Sequence, residues 1–416
     1  MQNNDLLELK ELEIDSDRKL RYWIIFIGQS LSLLGSSLTQ FVLMWWITDK
    51  TGSISYLAIA GMAALLPQAL LSPLGGVLAD RYHRRLIMII SDAVSAICMV
   101  ALIFLFLSDN IELWHAFVMM TIRGAMQAFQ SPASAASTAM LVPRSFVTRA
   151  AGFNQMLQGI TLVASAPLGA FAISIIPLGW ALSIDVITAI LAIVPLFIFT
   201  IPQVRENKSL NSLGKIKTEF VEGFSLVWNN PGLRRLYLLL GCVVLIVMPS
   251  YTFVPLLVKE YFQGGAREVA IMEGLAGIGM LLGGVIMAII APKRKIVWIL
   301  IGSTFTCLSL SFVAFTSSTL FWVAAIWWLV NGITFIFLNV PLTALLQTTV
   351  PNQFQGRVLS LLNTIMALAG PIGLALATPL GEVIGIRWLF VVVGIGGSII
   401  SLFGFLSPSL RKLDRK

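Results

Sequence analysis

The sequence predicts an all-α polytopic membrane protein whose 12 transmembrane helices form two pseudo-symmetric six-helix halves. Three observations support this fold class: a composition poor in charge, twelve long apolar runs, and a repeat that relates the two halves. Charged residues make up 12% of the 416 residues and hydrophobic residues 57%, whereas about 25% of a soluble domain is charged. Because so few charges do not cover a soluble surface, we expect apolar side chains to face lipid. The same composition excludes disordered, collagen-like and disulfide-stapled proteins.

The apolar runs place the transmembrane helices. A helix needs about 20 predominantly apolar residues to cross a bilayer. Runs of this kind occur at residues 22–47, 54–79, 86–107, 112–134, 150–175, 181–200, 235–258, 269–290, 296–316, 319–342, 356–381 and 387–407. Pro167 and Pro371 interrupt the fifth and eleventh runs, which are therefore the least regular as single helices. The first run lacks a small-residue cleavage site, which indicates an uncleaved first span rather than a signal peptide.

The basic residues orient the chain. With both termini in the cytoplasm, 23 of the 28 Lys and Arg residues fall in cytoplasmic segments and four in external loops, while Arg123 lies within a span. The net charge of +8 is therefore typical of cytoplasmic loops, and we expect no nucleic-acid partner. The predicted divisions are a cytoplasmic tail at 1–21, a six-helix half at 22–200, a cytoplasmic linker at 201–234, a second half at 235–407 and a cytoplasmic tail at 408–416.

A shift of 208 residues, half the chain length, superimposes motifs of the two halves. The matching pairs are residues 75–77 with 283–285, 123–124 with 331–332, and the Val-Pro-x-x-Phe-x-x-Arg pattern at 142–149 with 350–357. Because each repeat contains six spans, both have the same membrane orientation. Two such halves that rock about a central site are the plan of many secondary transporters.

The loop between the second and third spans reads GVLADRYHRR at residues 76–85. It resembles the Gly-x-x-x-Asp-Arg-x-Gly-Arg/Lys-Arg/Lys signature of the major facilitator superfamily, with His83 in place of the second glycine. The resemblance implies a conformational latch in which Asp80 engages the eleventh span in the outward-facing state. We expect the first glycine to allow close helix approach and the arginines to lie at anionic headgroups. The predicted latch residues are Gly76, Asp80, Arg81, Arg84 and Arg85.

Three charged residues within spans are candidates for proton coupling: Asp92, Arg123 and Asp185. A charge at membrane depth costs about 2.5–3.5 kcal/mol, which favours a functional role. Arg123 resembles the superfamily's span-four arginine, which is associated with proton coupling, and its depth predicts a pair with Asp92. Burial favours the neutral form of a carboxylate, as a proton carrier requires, so Asp185 is either a carrier or a locally paired residue. A purely structural ion pair is the alternative for Asp92 and Arg123.

Small residues beside proline predict kinked, closely packed helices in the fifth and eleventh spans. These residues are Gly159, Pro167 and Gly169 in the fifth span and Gly370, Pro371 and Gly373 in the eleventh. The fifth-span set partly matches the superfamily's antiporter motif, Gly-Pro-x-x-Gly with an upstream Gly. The match favours antiport only slightly, because the same residues give close packing in either direction of transport.

Amide, methionine and tryptophan side chains within the spans are candidates for lining a substrate cavity. Aromatic and methionine surfaces adapt to varied apolar ligands, and amides orient them. The alternative for each is a helix-bridging amide or an interfacial tryptophan. The candidates are Gln40, Met44, Trp45, Gln68, Gln127, Gln158, Asn331 and Asn339.

Nearly the whole sequence resembles the drug–proton antiporter branch of the superfamily that includes Mef-type macrolide efflux proteins. The residues that carry this resemblance are Gly28-Gln29, Thr51-Gly52-Ser53, Asp80-Arg81, Asp185-Val186, Tyr261-Phe262, Gly356-Arg357-Val358 and the segment 411–414. The resemblance implies a transporter of the bacterial cytoplasmic membrane that exports amphipathic drugs, macrolides among them, in exchange for protons by alternating access. The alternatives are an exporter of a siderophore or other metabolite, or a solute importer, of the same superfamily.

Enzymatic function is not expected. The sequence has no phosphate-binding loop or nucleotide domain, and its two histidines, His83 and His115, lie far apart. A membrane-embedded enzyme or receptor would need a convergent catalytic cluster or an external domain, and neither is present in the sequence. We therefore expect no catalytic residue, cofactor or metal. The expected partners are the lipid bilayer, a small amphipathic substrate and protons, with the chain acting as a monomer.

Overall fold

The structure is a computed structural model. It describes residues 2–143, 146–201, 221–222 and 224–415, without the side chains of residues 2–19, 80, 139, 148, 352, 353, 356 and 415. The helices are α1 Gln2–Thr51, α2 Ile54–Arg81, α3 Arg84–Leu107, α4 Leu113–Leu141, α5 Val147–Ile175, α6 Leu178–Ala181, α7 Ser183–Ile198, α8 Pro231–Glu260, α9 Ala266–Ile290, α10 Lys295–Phe315, α11 Phe321–Thr349, α12 Asn352–Ile384, α13 Ile386–Phe405 and α14 Pro408–Arg411, followed by a 3-10 turn at Lys412–Arg415.

Each predicted run corresponds to one of these helices or, for the sixth, to the pair α6 and α7. Within the described residues, 11 helices are long and apolar enough to cross a membrane. Helix α4 is not among them, although its 29 residues give ample length. The reason lies in its side chains, which include Arg123, Gln127 and Gln130. The least apolar of the predicted spans is therefore the one that carries the intramembrane arginine.

The two proline-interrupted runs form continuous helices. Pro167 lies inside α5 and Pro371 inside α12, and neither helix is divided. Proline is tolerated within transmembrane helices because neighbouring helices and local backbone adjustments satisfy the carbonyl group that it frees. The prolines therefore do not add ends to the fifth and eleventh spans.

The chain forms two compact units. Unit 1 comprises residues 1–43 and 66–208, and unit 2 comprises residues 44–65 and 209–416. Inside unit 1, α3 packs against α4 and α7, and inside unit 2, α10 packs between α11 and α13. The two units differ from the predicted halves chiefly in segment 44–65, which groups with unit 2.

Segment 44–65 makes specific contacts with other parts of unit 2. Lys259 Nζ lies 3.0 Å from Asp49 Oδ1, and Ser55 hydrogen bonds to Glu382. Gly61 lies so close to Thr252 that a Cβ there would come within 2.9 Å of the threonine methyl group. One ion pair, one hydrogen bond and one close backbone approach thus hold the segment in unit 2.

Glycine packing supports the sequence repeat. A Cβ on Gly75 of α2 would collide with the carbonyl oxygen of Ala128 in α4. A Cβ on Gly283 of α9 would come within 2.7 Å of the carbonyl oxygen of Ile333 in α11. The two glycines are 208 residues apart and serve the same purpose, the close contact of the second and fourth helix of each repeat.

Candidate functional site

A buried ion pair inside unit 1 joins α4 to α7. Arg123 Nη2 lies 2.8 Å from Asp185 Oδ2, and the two side chains are only 10% and 2% exposed. Ser36 of α1 donates its hydroxyl to Asp185 Oδ1 at 2.7 Å, and Arg123 Nη2 also donates to Thr39 Oγ1 at 3.4 Å. Three helices therefore converge on one buried carboxylate, whose charge is balanced by a guanidinium group and a hydroxyl.

The guanidinium group of Arg123 is not saturated by these contacts. Its second terminal nitrogen, Nη1, is buried and has no hydrogen-bond partner among the described residues. Arginine has five donors in a fixed geometry. Arg123 thus has one buried N–H group that is free to donate a hydrogen bond to another acceptor.

Asp92 has a different partner from the predicted one. Gln29 Nε2 donates to Asp92 Oδ2 at 3.0 Å, and Gln130 Nε2 donates to Gln29 Oε1 at 2.6 Å. Gln130 lies seven residues after Arg123, which is about two helical turns or 10 Å along α4. Gln130 therefore lies at the level of Asp92, and Arg123 at the level of Asp185. The predicted Asp92–Arg123 pair is wrong because depth alone did not resolve a displacement of two turns.

Both carboxylates line one cavity of about 380 Å³ within unit 1. Its walls come from α1, α3, α4, α5 and α7, and they combine hydroxyl and amide groups with apolar side chains such as Phe26 and Met126. Amides line it at Gln29, Gln127, Gln130, Asn154 and Gln158. A cavity with convergent polar groups on an apolar background is typical of sites for small organic molecules.

Of these amides, the sequence predicted Gln127 and Gln158 and missed Gln29, Gln130 and Asn154. A signal for Gln130 was present on α4. The polar residues at positions 127, 130, 131, 134, 137 and 138 recur every three to four residues, which is the spacing of one helix face. This polar face points into the cavity, since all six residues line it.

Four of the other predicted cavity residues lie elsewhere. Gln40 and Gln68 are half-buried in the chain segments of unit 1 but do not line this cavity. Met44 and Trp45 belong to the segment that groups with unit 2. Gln40 and Gln68 therefore do not share the unit 1 cavity with Gln127, and the cavity role of Met44 and Trp45 stays a prediction.

Asn331 and Asn339 make hydrogen bonds of different kinds: Asn331 bridges helices, whereas Asn339 bonds within its own helix. Asn331 is 1% exposed, and its Nδ2 donates to the Thr306 carbonyl and to Ser309 Oγ, both at 2.9 Å. Tyr251 donates its hydroxyl to Asn331 Oδ1 at 3.0 Å. Asn339 Nδ2 donates to the carbonyl of Phe335, one turn earlier in the same helix, at 2.9 Å. Asn331 is thus the helix-bridging amide that was the alternative to a cavity role.

The arginines of the loop at 76–85 donate hydrogen bonds to backbone carbonyls of neighbouring helices. Arg84 donates to the carbonyl oxygens of Ala79 in α2 and Ala136 in α4, at 3.0 and 3.1 Å. Arg85 Nη2 donates to the carbonyl oxygen of Phe197, near the end of α7, at 2.8 Å. Ala79 and Phe197 lie in the last turns of α2 and α7, where carbonyl groups lack intrahelical partners, whereas Ala136 lies five residues before the end of α4. Arg84 and Arg85 therefore fasten the start of α3 to three neighbouring helices, while Arg81 is exposed.

The glycine of this loop does not act as predicted. A Cβ on Gly76 would meet no described atom within 4 Å, whereas one on the preceding Gly75 would collide with α4. Close helix approach therefore depends on Gly75, and that part of the prediction is wrong. His83 has φ −63°, which any residue adopts, so its replacement of glycine imposes no strain. The side chain of Asp80, the predicted latch, is outside the described residues.

The small residues beside the two prolines serve as contact points. A Cβ on Gly169 of α5 would lie 3.2 Å from the Leu38 carbonyl oxygen of α1. A Cβ on Gly373 of α12 would collide with the Leu245 carbonyl oxygen of α8. Gly370 lies in ordinary contact with Leu65, and Gly159 faces open space among the described residues. Close packing next to proline therefore occurs at one glycine of each set, and Gly159 has no packing role of this kind.

Comparison with known proteins places this arrangement in a family. A family model described as Major Facilitator Superfamily matches residues 25–374. The chain belongs to the major facilitator superfamily. The match includes the Arg123–Asp185 pair, the loop at 76–85 and every residue given for the cavity wall except Tyr22.

Relatives in the superfamily cover nearly the whole chain. Macrolide efflux protein A of Streptococcus pyogenes is 31% identical over 402 residues, which is 96% of this chain and 98% of that protein. The multidrug efflux pump Tap of Mycolicibacterium fortuitum is 24% identical over 404 residues, 91% of this chain and 94% of that pump. A solved POT family transporter in complex with a thioalcohol-conjugated peptide has a TM-score of 0.72 at 13% identity, covering 92% of this chain and 95% of its own. The last likeness concerns the fold alone.

Membership of the major facilitator superfamily confirms the predicted all-α, twelve-helix transporter fold. It also accounts for α4, which is too polar to be recognised as a span by composition but completes the set of twelve. The chain is a multi-pass membrane protein and a secondary transporter of small molecules, not an enzyme.

Proposed function

We propose that this transporter exports amphipathic drugs, macrolides among them, in exchange for protons by alternating access. The observation that carries the proposal is the buried Arg123–Asp185 pair beside a cavity lined by amides and hydroxyls. The names of two relatives, a macrolide efflux protein and a multidrug efflux pump, support the class of substrate.

Asp185 is the proposed proton carrier and Arg123 its counter-ion. A proton on Asp185 removes the negative charge that balances the guanidinium group, and a buried cation without a counter-ion is unfavourable. The Arg123 donors then favour other acceptors, and the contacts of α4 with α1 and α7 change. Asp92, held by Gln29 and through it by Gln130, is the second proposed proton site. Because both carboxylates line the substrate cavity, protonation and drug binding affect the same side chains.

The cavity suits an amphipathic molecule better than a small ion or a sugar. Its volume of about 380 Å³ lies within the roughly 300–1,000 Å³ of typical small-molecule sites. Amides at Gln127, Gln158 and Asn154 supply both donors and acceptors, while Phe26, Leu33 and Met126 supply apolar surface. A molecule that combines scattered hydroxyl or ester groups with hydrocarbon makes use of both kinds of surface.

The membrane potential supplies enough free energy for drug resistance. A driving force of about 150 mV is worth about 3.5 kcal/mol per charge. Since each 1.36 kcal/mol or so corresponds to a factor of ten, one proton per drug sustains a gradient of a few hundredfold.

The proposed topology places both termini and the linker at 201–234 in the cytoplasm of a bacterium. The proposed transporter is a monomer.

A susceptibility panel tests the substrate class. The chain is expressed in a bacterial strain that lacks its own efflux pumps, and growth is measured against macrolides, other amphipathic drugs and iron limitation. We expect a raised inhibitory concentration for at least one macrolide. Resistance to none of the drugs, with altered growth only under iron limitation, would instead indicate a siderophore exporter.

Reconstituted transport tests direction and coupling. Everted vesicles should accumulate the drug when their interior is acidified, whereas a solute importer would not. Asp185→Asn should abolish transport driven by a pH gradient but retain exchange of labelled for unlabelled drug. The matched control is Asp109→Asn, which makes the same change in an exposed loop residue with φ 54°, a conformation that asparagine tolerates. Unchanged coupling in Asp185→Asn would remove that residue from the proton path.

A further inference from the structure

A short helix precedes α8 in unit 2, within the segment that the sequence predicts as a linker. Its described residues are 221–222 and 224–229, and we call it the linker helix. Asn230 follows it in an extended conformation, with Pro231 next, and the Asn230 side chain accepts hydrogen bonds from two backbone amides of the first turn of α8. Because proline and an extended residue interrupt a helix, the linker helix adjoins the start of α8 without continuing it.

One face of the linker helix is held by unit 2. Val227 is only 3% exposed and belongs to a hydrophobic core of that unit, against which Leu226 also packs. Glu222 makes an ion pair with Arg357 of α12. These contacts on one side fix the directions in which the other faces of the helix point.

A second face is apolar and exposed. Val221, Phe224 and Trp228 are 52%, 44% and 46% exposed, and their spacing of three and four residues is that of one helix face. The rings of Phe224 and Trp228 stack with their centroids 5.2 Å apart. The guanidinium carbon of Arg234 in α8 lies 5.6 Å from the centroid of the Trp228 ring. These three apolar side chains, the apolar face, therefore form one continuous surface beside a cation.

The third face is polar. Ser225 and Asn229 are exposed, and Asn229 Nδ2 donates to Ser225 Oγ at 3.1 Å. Each follows one of the two aromatic residues, so it points about 100° away from that ring. These two residues, the polar face, thus stand beside the apolar face on the exposed side of the helix. Separate apolar and polar faces are typical of helices that lie in the plane of a membrane interface.

The position of the linker helix indicates which partner covers its apolar face. It adjoins the first residues of α8, a candidate membrane span, and therefore lies at the boundary of the bilayer. Tryptophan is enriched at this boundary, because its ring contacts hydrocarbon while its N–H stays among polar groups. Three half-exposed side chains offer far less than the roughly 800 Å² that each partner contributes to a specific protein interface. A lipid interface has no such minimum area.

We propose that the apolar face of the linker helix inserts into the membrane interface, with the polar face toward water, and so anchors unit 2 at that surface. The predicted orientation makes this the cytoplasmic surface. Since the contact is chiefly apolar, it does not depend on anionic lipid. The anchor sets the level of α8 in the membrane and, through the Glu222–Arg357 ion pair, that of the start of α12.

Photo-crosslinking of the full chain in phosphatidylcholine nanodiscs tests the proposal. Benzoylphenylalanine, a photoreactive amino acid, replaces Phe224 or Trp228, and the matched controls carry it at Ser225 or Asn229. We expect lipid adducts, identified by mass spectrometry, at the two aromatic positions and few at the two polar ones. Adducts chiefly with residues 202–220, or with a second copy of the chain, would identify another occupant and overturn the proposal. Equal lipid adducts at all four positions would also overturn it.

Hydrogen exchange in the same nanodiscs measures how far the contact stabilises the helix. The double variant Phe224→Ser with Trp228→Ser should speed backbone exchange of residues 224–229 by about tenfold, because two half-exposed aromatic side chains lose their apolar surroundings. The control, Ser225→Ala with Asn229→Ala, alters only the polar face and should leave exchange nearly unchanged. Equal exchange rates in the two double variants would contradict an anchor at this helix.

Discussion

The two units place different chemistry at corresponding positions of the repeat. Arg123 of unit 1 makes a buried ion pair with Asp185, whereas Asn331, 208 residues later, makes neutral hydrogen bonds with Thr306, Ser309 and Tyr251. The same shift carries Asp185 onto Val393, which is buried at 6% exposure. Unit 2 therefore forms its helix packing without these charges.

This difference bears on whether the ion pair is only structural. A buried pair is rarely more stable than well-packed apolar side chains of similar volume, and unit 2 has such a side chain at the position that matches Asp185. Asp92 likewise corresponds to Leu300, which is 1% exposed. The comparison favours a functional reason for the charges of unit 1, since packing alone is satisfied by valine, leucine and asparagine.

The largest expected effect comes from breaking the ion pair. Arg123→Met leaves Asp185 buried at 2% exposure without its counter-ion, and removing one partner of a buried pair typically costs about 3–5 kcal/mol. We expect a large fall in melting temperature in detergent and no drug transport. The double variant Arg123→Asn with Asp185→Val introduces the residues of unit 2 into unit 1.

The double variant should recover most of the lost stability and none of the proton-driven transport. Recovery of both would show that the charges are dispensable, and the comparison between the units would then lose its functional meaning. Recovery of neither would show that the two units do not share a packing plan at this position.

The glycine contacts test a feature that both units share, the close packing of the second and fourth helix of each repeat. Gly75→Ala and Gly283→Ala should each lower the free energy of unfolding by about 1–3 kcal/mol, because the new Cβ meets a backbone carbonyl oxygen that has little freedom to move. The neighbouring glycines, Gly76 and Gly284, face open space among the described residues and are the matched controls. Alanine at these two positions should leave stability unchanged or raise it by up to about 1 kcal/mol. Equal effects at Gly75 and Gly76 would contradict the close approach of α2 and α4.

A smaller effect is expected from substitution of Asn331, the neutral residue of unit 2 that corresponds to Arg123 in the repeat. Asn331→Leu removes three hydrogen bonds and leaves the Tyr251 hydroxyl without its acceptor, which should cost about 1–2 kcal/mol. Transport should remain coupled to the pH gradient once the protein is folded. The control is Asn339→Leu, whose amide bonds only within its own helix. Loss of coupling in folded Asn331→Leu would assign the proton path to both units.

The sequence predicted the spans and the charged residues because hydropathy and the rarity of intramembrane charge are local properties. It did not predict the partner of Arg123, since the level at which two helices meet depends on their crossing and not on their separate depths. Gly75 and Gly76 illustrate the same limit. Both belong to a motif that is repeated in the two halves, but successive residues of a helix point about 100° apart. Only Gly75 therefore faces α4. The polar face of α4 indicates Gln130, but its bond to Gln29 was not predictable, because a bridge between helices is visible only when both helices are in place.

The smallest effect is expected from loss of the hydrogen bond between Gln130 and Gln29. Gln130→Leu removes the donor to Gln29 Oε1 but keeps the bond from Gln29 to Asp92, so the loss should be near the average of about 0.6 kcal/mol for a hydrogen bond between transmembrane helices. Drug export driven by a pH gradient should fall more than stability does, because Gln29 becomes free to turn away from Asp92. The control is Gln347→Leu, at an exposed position near the end of α11. Equal export by the two variants would show that Asp92 does not need this bridge, and proton coupling would then rest on the Arg123–Asp185 pair alone.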